Sequence, residues 1–147
     1  MDAAGDIELV AGRWEAAHGY FRKLVELTSW EGQPGNKLAF TLLKLGKQTE
    51  AAGLLQKNLD FCLGMNDIDR EGSPVRYYLA EAYALLGRPT EALDALDKAA
   101  ADGYFERWIA VDPLLDSLRG EARFKLILAK IQARIEAMRR RVATWSL

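Results

Sequence analysis

Apolar residues recur every three or four positions along most of the chain, which is the spacing of amphipathic helices, and no stretch alternates as a strand would. The pattern predicts seven helices, over 6–11, 14–27, 36–45, 49–61, 75–86, 90–102 and 121–143. A further short helix is predicted over 104–110, followed by a tight connector over 111–120. Residues 63–74 have no period and are rich in Gly, Asp and Asn, so they predict a loop or a helix extension that leads into a loop. The predicted fold class is all-α.

The last predicted helix has one apolar stripe that continues for about six turns. Its members are Phe124, Ile127, Leu128, Ile131, Ile135, Met138 and Val142. We expect this helix to lie across the helices before it. The same spacing suits heptads, so a coiled-coil or homodimer seam is the alternative.

Three segments of the chain share a glycine that is followed five residues later by an alanine. The glycines are Gly12, Gly46 and Gly87, which lie 34 and 41 residues apart, and a basic residue follows each of them. The apolar residues four positions after the alanines are Phe21, Leu55 and Leu96. A glycine ends a helix well because it adopts positive φ at little cost. Repetition at this period is typical of stacked helical hairpins.

The composition fits one soluble globular domain of 147 residues and excludes several classes of protein. A net charge of −1 argues against a dedicated nucleic-acid binder. A single cysteine, Cys62, excludes an intrachain disulfide, and a single histidine, His18, argues against a zinc site. The acidic start is unlike a secretory signal, and no apolar run approaches the length of a membrane span. We therefore expect a cytoplasmic protein without a cofactor.

The repeated segments resemble the tetratricopeptide repeat, a pair of antiparallel helices in about 34 residues. The third unit fits best, with Leu79, Ala80 and Tyr83 in its first helix and Ala92 and Leu96 in its second. The resemblance covers about residues 6–105 and implies an α-α superhelix closed by a long C-terminal helix. The implied units are 1–31, 32–72 and 73–106, with a closing segment over 107–147, all in one domain.

Residues 108–124 are similar to the segment that closes such arrays in many bacterial regulators, where the array follows a DNA-binding, cyclase or kinase domain. This resemblance implies a regulatory domain that forms the C-terminal part of a longer protein.

The resemblance also implies a peptide groove on the concave wall, made by the first helix of each pair. Carried onto this sequence, its residues are Asn36, Lys37, Phe40, Lys44, Tyr77, Tyr78 and Glu81. The amide and the two lysines suit a carboxylate or an acidic peptide, and the aromatic residues suit apolar side chains. The alternative is that Phe40 and Tyr78 pack against terminal segments of the same chain.

No set of residues in the sequence has the chemistry of a catalytic centre. Residues 67–72 are similar to the start of a calcium loop, but Tyr78 stands where the bidentate acid is needed, so we interpret them as a solvated turn. The leading hypothesis is a non-catalytic protein–protein interaction module. The alternatives are a homodimerisation domain that uses the last helix and a small-ligand sensor near the aromatic cluster Tyr104, Phe105 and Trp108.

Overall fold

The computed structural model describes residues 3–28, 32–65, 74–104 and 107–144, and within these ranges the chain is helical and contains no strand. The α-helices are α1 (Ala3–Val10), α2 (Trp14–Thr28), α3 (Gln33–Lys44), α4 (Gln48–Met65), α5 (Val75–Leu85), α6 (Pro89–Ala101) and α7 (Ala122–Thr144). Two 3₁₀ helices, η1 (Arg107–Ala110) and η2 (Pro113–Leu118), lie between α6 and α7. The predicted all-α class is confirmed.

The helix boundaries differ from the prediction at two informative places. Helix α4 continues to Met65, because no residue between 62 and 65 forces the backbone out of the helical conformation. The predicted connector contains η2, since Asp112 caps its first turn by accepting a hydrogen bond from the backbone N–H of Leu114, and Pro113 takes the first helical position. Most of the predicted loop over 63–74 lies outside the described residues.

The helices from α1 to α6 pack mainly in sequence order, each against the next, and α3 also contacts α5. Helix α7 packs on α6. Its residues Arg123, Lys130 and Arg134 contact residues 94, 97 and 100 of α6 in the same order along the chain. The two helices therefore run parallel.

The three repeated glycines form the same turn three times, between α1 and α2, α3 and α4, and α5 and α6. Their φ angles are 71°, 76° and 70°. In each turn the glycine N–H donates to the carbonyl three residues earlier at 3.1 Å, and the next N–H donates to the carbonyl five residues earlier at 2.9 Å. These bonds form the Schellman motif, which satisfies the last carbonyls of a helix. The alanines that follow, Ala17, Ala51 and Ala92, are fully buried. The repeat in the sequence is thus a repeat in structure.

The stripe of the last helix is buried along only part of its length. Phe124, Ile127 and Ile131 belong to the core, whereas Met138 and Val142 are exposed. The expectation that this helix packs on those before it holds for its first half.

Among the described helices, none is long and apolar enough to cross a membrane.

Gly32 precedes α3 in a conformation that only glycine adopts cheaply, with φ 82°, and a Cβ there would lie 2.6 Å from a ring carbon of Tyr78. Gly46 has a similar φ, but a Cβ there would meet nothing within 4 Å. We expect Gly32→Ala to lower the free energy of unfolding by about 1–3 kcal/mol more than Gly46→Ala, because Gly32 combines its positive φ with a ψ of −126°, which residues with a Cβ avoid, and the new Cβ would also overpack against Tyr78. Urea denaturation of both variants measures the difference. Equal losses would contradict the close contact with Tyr78.

Candidate functional site

The seven residues predicted to line a groove are mostly inside the protein. Asn36, Lys37, Phe40, Tyr77 and Glu81 are buried, Tyr78 is half-buried and Lys44 is exposed. The helical register behind the prediction places these residues on α3 and α5, but the open surface that a groove requires is missing at five of the seven. This corrects the expectation of a solvent-exposed concave wall.

The chain's own closing segment covers this face. Helix η2 packs on α5 and also contacts α3 and α6. Its leucines Leu114, Leu115 and Leu118 are buried at 2% exposure or less. Tyr104 stacks on the ring of Tyr77 with 5.2 Å between ring centroids. The space that a bound peptide would need beside α5 is therefore filled by Tyr104 and η2 of the same chain.

A chain of buried polar groups crosses the covered face from α4 to η2. The amide nitrogen of Asn58 donates to the Asn36 side-chain oxygen at 2.6 Å and to the Gly32 carbonyl at 3.1 Å. The amide nitrogen of Asn36 donates to Glu81 Oε2 at 2.9 Å and to the Tyr78 carbonyl at 2.8 Å. Gln33 donates to Glu81 Oε1 at 3.1 Å. Three helices are thus joined through side chains that would be costly to bury alone.

The chain of polar groups ends in two carboxyl groups that hydrogen bond to each other, those of Glu81 and Asp112, both fully buried. Asp112 also accepts hydrogen bonds from the Tyr77 hydroxyl and the backbone N–H of Leu114. Burial raises the pKa of Glu81 well above its usual range, and the neighbouring Asp112 carboxylate raises it further. Burial also raises the pKa of Asp112. We infer that the pair shares a proton at a pH where exposed carboxyl groups are ionised.

This shared proton predicts a specific pH dependence of stability. Because the folded pair has raised pKa values, its stabilising contribution is complete below about pH 4, where unfolded carboxyl groups are protonated too, and is lost as the pH rises through the folded values. Glu81→Gln removes one of the titrating groups and flattens this decline. Urea denaturation of wild type and variant between pH 4 and pH 8 measures the difference. A wild-type free energy of unfolding that runs parallel to that of Glu81→Gln over this range would contradict the shared proton.

The other predicted residues serve contacts near the N-terminal end. The ammonium group of Lys37 pairs with Asp6 of α1 and lies 5.7 Å from the centre of the Phe21 ring, so it fixes α1 to α3. Phe40 meets Trp14 of α2 edge to face at 5.9 Å. The ammonium nitrogen of Lys44 lies over both rings, 5.0 Å from the centroid of the Phe40 ring and 5.6 Å from that of the Trp14 ring. The predicted residues thus fall into separate contacts. Asn36 hydrogen bonds to Glu81 and to the Tyr78 carbonyl, the Tyr77 and Tyr78 rings contact each other, and Lys44 lies over Phe40.

The sensor hypothesis placed a ligand near Tyr104, Phe105 and Trp108. Tyr104 stacks on Tyr77 of α5, Trp108 is half-buried, and Phe105 lies outside the described residues. A pocket of about 210 Å³ lies elsewhere, between the end of α4 and helices α5 and α6. Its wall includes Leu79, Tyr83 and Lys98. It holds acidic and basic side chains together and shows no preference for one kind of ligand.

The described part of the chain gives no support for a metal-binding site or for a reactive cysteine. No three or more His, Cys, Asp or Glu residues there are grouped so as to hold a metal ion. The turn over 67–72 lies outside the described residues. Cys62 is buried, and burial raises the pKa of its thiol to about 12. A thiol in this environment is a poor nucleophile.

Sequence reasoning missed three members of the polar chain, Gln33, Asn58 and Asp112. Asp112 carried a local signal, since Asp before Pro and two leucines is typical of a capped helix start. Asn58 stood where the resembled repeat has a small residue, and that departure was a second signal. Their shared contacts depend on tertiary packing.

Comparison with known proteins gives no match for this chain, either to a family model or to a curated protein.

Proposed function

We propose that the chain is a non-catalytic protein–protein interaction module built from tetratricopeptide-like helical hairpins, and that it serves as the regulatory domain of a bacterial transcriptional or signalling regulator. The observation that carries this proposal is the Schellman turn that recurs at Gly12, Gly46 and Gly87 with the same φ and the same hydrogen bonds. Each turn joins two helices, and each is followed by a fully buried alanine. A chain built from equivalent hairpins is typical of repeat proteins that bind other proteins.

The order of helix contacts supports a superhelical arrangement. Helices α2 and α3, and α4 and α5, pack across neighbouring hairpins, and α3 contacts α5 as the first helices of stacked repeats would. Helix η2 lies against the first helices and α7 runs parallel to α6. In the proposal, η2 and α7 take the two positions of a fourth, atypical hairpin that closes the array.

Because η2 covers the inner face of the array, we place the proposed binding surface on its outer side. Residues such as Glu81 and Tyr77 are committed to internal contacts, so a partner would bind the outer surfaces of the array. Several large apolar side chains are exposed there, including Leu27 of α2 and Met138 of α7.

The test is reconstitution of a complex from purified components. A protein that copurifies with the chain from its own cells is expressed separately and titrated into it by isothermal calorimetry. The proposal expects saturable binding of defined stoichiometry and hydrogen-exchange protection on helix surfaces. Failure of every purified candidate to bind, together with a metabolite that raises the melting temperature, would favour the sensor hypothesis instead.

Homodimerisation through α7 is a second candidate function, because Met138 and Val142 of its stripe are 47% and 68% exposed. Sedimentation velocity at micromolar concentration tests it. A single monomeric species contradicts it.

A further inference from the structure

Helix α7 runs past the end of the helix on which it packs. The hydrogen bond from Arg134 to the Ala100 carbonyl, at 3.1 Å, joins the two helices next to the end of α6 at Ala101. Helix α7 continues to Thr144. At a rise of 1.5 Å per residue, the part beyond Arg134 extends about 15 Å past this contact. We call residues 135–143 the α7 tip.

The apolar stripe does not stop where the packing stops. Its spacing follows a heptad in which Phe124, Ile131 and Met138 occupy d positions, and Leu128, Ile135 and Val142 occupy a positions. Phe124 and Ile131 are buried, Ile135 is half-buried, and Met138 and Val142 are exposed. One seam therefore begins in the core and continues onto the surface of the α7 tip.

The positions that flank this seam are basic or neutral. The e and g positions from residue 132 onward are Gln132, Arg134, Arg139 and Arg141. The acid in this stretch, Glu136, lies at a b position away from the seam. Interaction with the helix dipole favours a basic residue in the last turn, but it does not explain why arginines stand on both sides of an apolar stripe.

The positive charges of the arginines beside the apolar stripe determine which kind of helix can bind there. In a parallel pair of α7 helices, Arg134 would face Arg139 of the second copy, and in an antiparallel pair arginines would again face arginines. Like charges brought together in this way oppose association, whereas glutamates at the same positions would attract. The charge pattern thus argues against a second copy of this chain and for an acidic partner.

We propose that the α7 tip binds an acidic amphipathic helix of a partner protein, which lays its apolar face along Met138 and Val142 and its carboxylates against Arg139 and Arg141. This proposal rests on the proposed interaction function and adds to it the surface and the chemistry of the partner. It is the helix-to-helix mode of recognition, in which apolar anchors provide affinity and flanking charges select the partner.

The experiment uses two fluorescent helical peptides of three heptads, with leucine and isoleucine at a and d positions, and either glutamate or lysine at e and g. Anisotropy titrations with the full chain are run at low and high salt. We expect the acidic peptide to bind, its affinity to fall as salt rises, and the basic peptide not to bind. Met138→Asp combined with Val142→Asp is expected to weaken binding by at least about tenfold. The matched control is Leu126→Asp, which replaces an exposed residue of the same helix off the seam and leaves binding unchanged.

Charge reversal makes the test sharper. Arg139→Glu with Arg141→Glu is expected to exchange the preference, so that the basic peptide binds and the acidic one does not. Arg140→Glu, at an f position away from the seam, retains the preference for the acidic peptide. Circular dichroism and urea denaturation verify that the variants fold, which their exposed positions predict.

Several results would overturn the proposal. They are equal binding of both peptides, binding that survives the double aspartate variant, a homodimer in sedimentation that this variant abolishes, and binding to anionic phospholipid vesicles without affinity for the acidic peptide. A reconstituted protein complex that tolerates changes in the α7 tip would leave the proposed function standing and remove only this surface.

Discussion

Replacing Leu115 with alanine is expected to lower the free energy of unfolding by about 3 kcal/mol, within the range for large-to-small substitutions in a core. Leu115 lies in η2, is fully buried, and belongs to the segment that packs on α5. The shortened side chain would leave a cavity between the closing segment and the inner face. Urea denaturation followed by circular dichroism measures the loss.

The rate at which the Cys62 thiol reacts provides a second measurement of the effect of Leu115→Ala. Its thiol is 1% exposed, and burial raises its pKa to about 12, so we expect it to react slowly with a thiol reagent in the native protein. Loosening of the closing segment should accelerate labelling in Leu115→Ala. Val111→Ala is the control, because Val111 lies in the same segment just before η2 and is exposed. A loss of less than about 1 kcal/mol in Leu115→Ala would show that η2 is not fixed on the inner face.

Replacing Glu81 with alanine should also be strongly destabilising, by about 3 kcal/mol or more. The Glu81 carboxyl group is fully buried and accepts hydrogen bonds from Gln33 and Asn36. Its removal would leave two amide donors and the Asp112 carboxyl group without their partner inside the protein. Thermal and urea denaturation at one pH measure the effect.

Glu81→Gln separates loss of the charge from loss of the hydrogen-bonding group. It retains an acceptor and a donor in the same space, so we expect a smaller loss than in Glu81→Ala. Glu26→Ala, at an exposed position of α2, is the control and should change stability little. A role in an open groove predicts the reverse pattern, in which Glu81→Ala alters partner binding and leaves stability nearly unchanged.

The helices and their turns were predictable because their causes are local. The spacing of apolar residues places one face of each helix against its neighbour, and glycine takes the positive φ that ends α1, α3 and α5. The first half of the α7 stripe is buried for the same reason. Local rules also account for the start of η2 at Asp112 and Pro113.

The burial of the candidate groove was not predictable in the same way. Asn36, Tyr77 and Glu81 lie on α3 and α5, as the pattern predicts, but the groups they contact come from distant parts of the chain. Asp112 lies 31 residues after Glu81 in the sequence, and only the return of the closing segment brings the two carboxyl groups together. A single sequence carries no signal for that return path.

Asn58 shows how a departure from a pattern can have a structural reason. The resembled repeat favours a small residue at this position for close helix packing. Here the side chain lies against Gly35, whose missing Cβ provides the space, and it donates to Asn36 and to the Gly32 carbonyl. A larger residue on one helix is thus accommodated by glycine on the other.

The sequential packing of the helices also sets the order in which the protein can fold. Most contacts join neighbouring helices, and the pair α5 and α6 is the most extensively packed, so the fold has a low contact order and should form within micro- to milliseconds. Closure of η2 over α3 spans a much longer loop and has a higher entropic cost. We expect the α5–α6 hairpin to be structured in the folding transition state and η2 to dock after it, so that substitutions at Leu115 mainly accelerate unfolding.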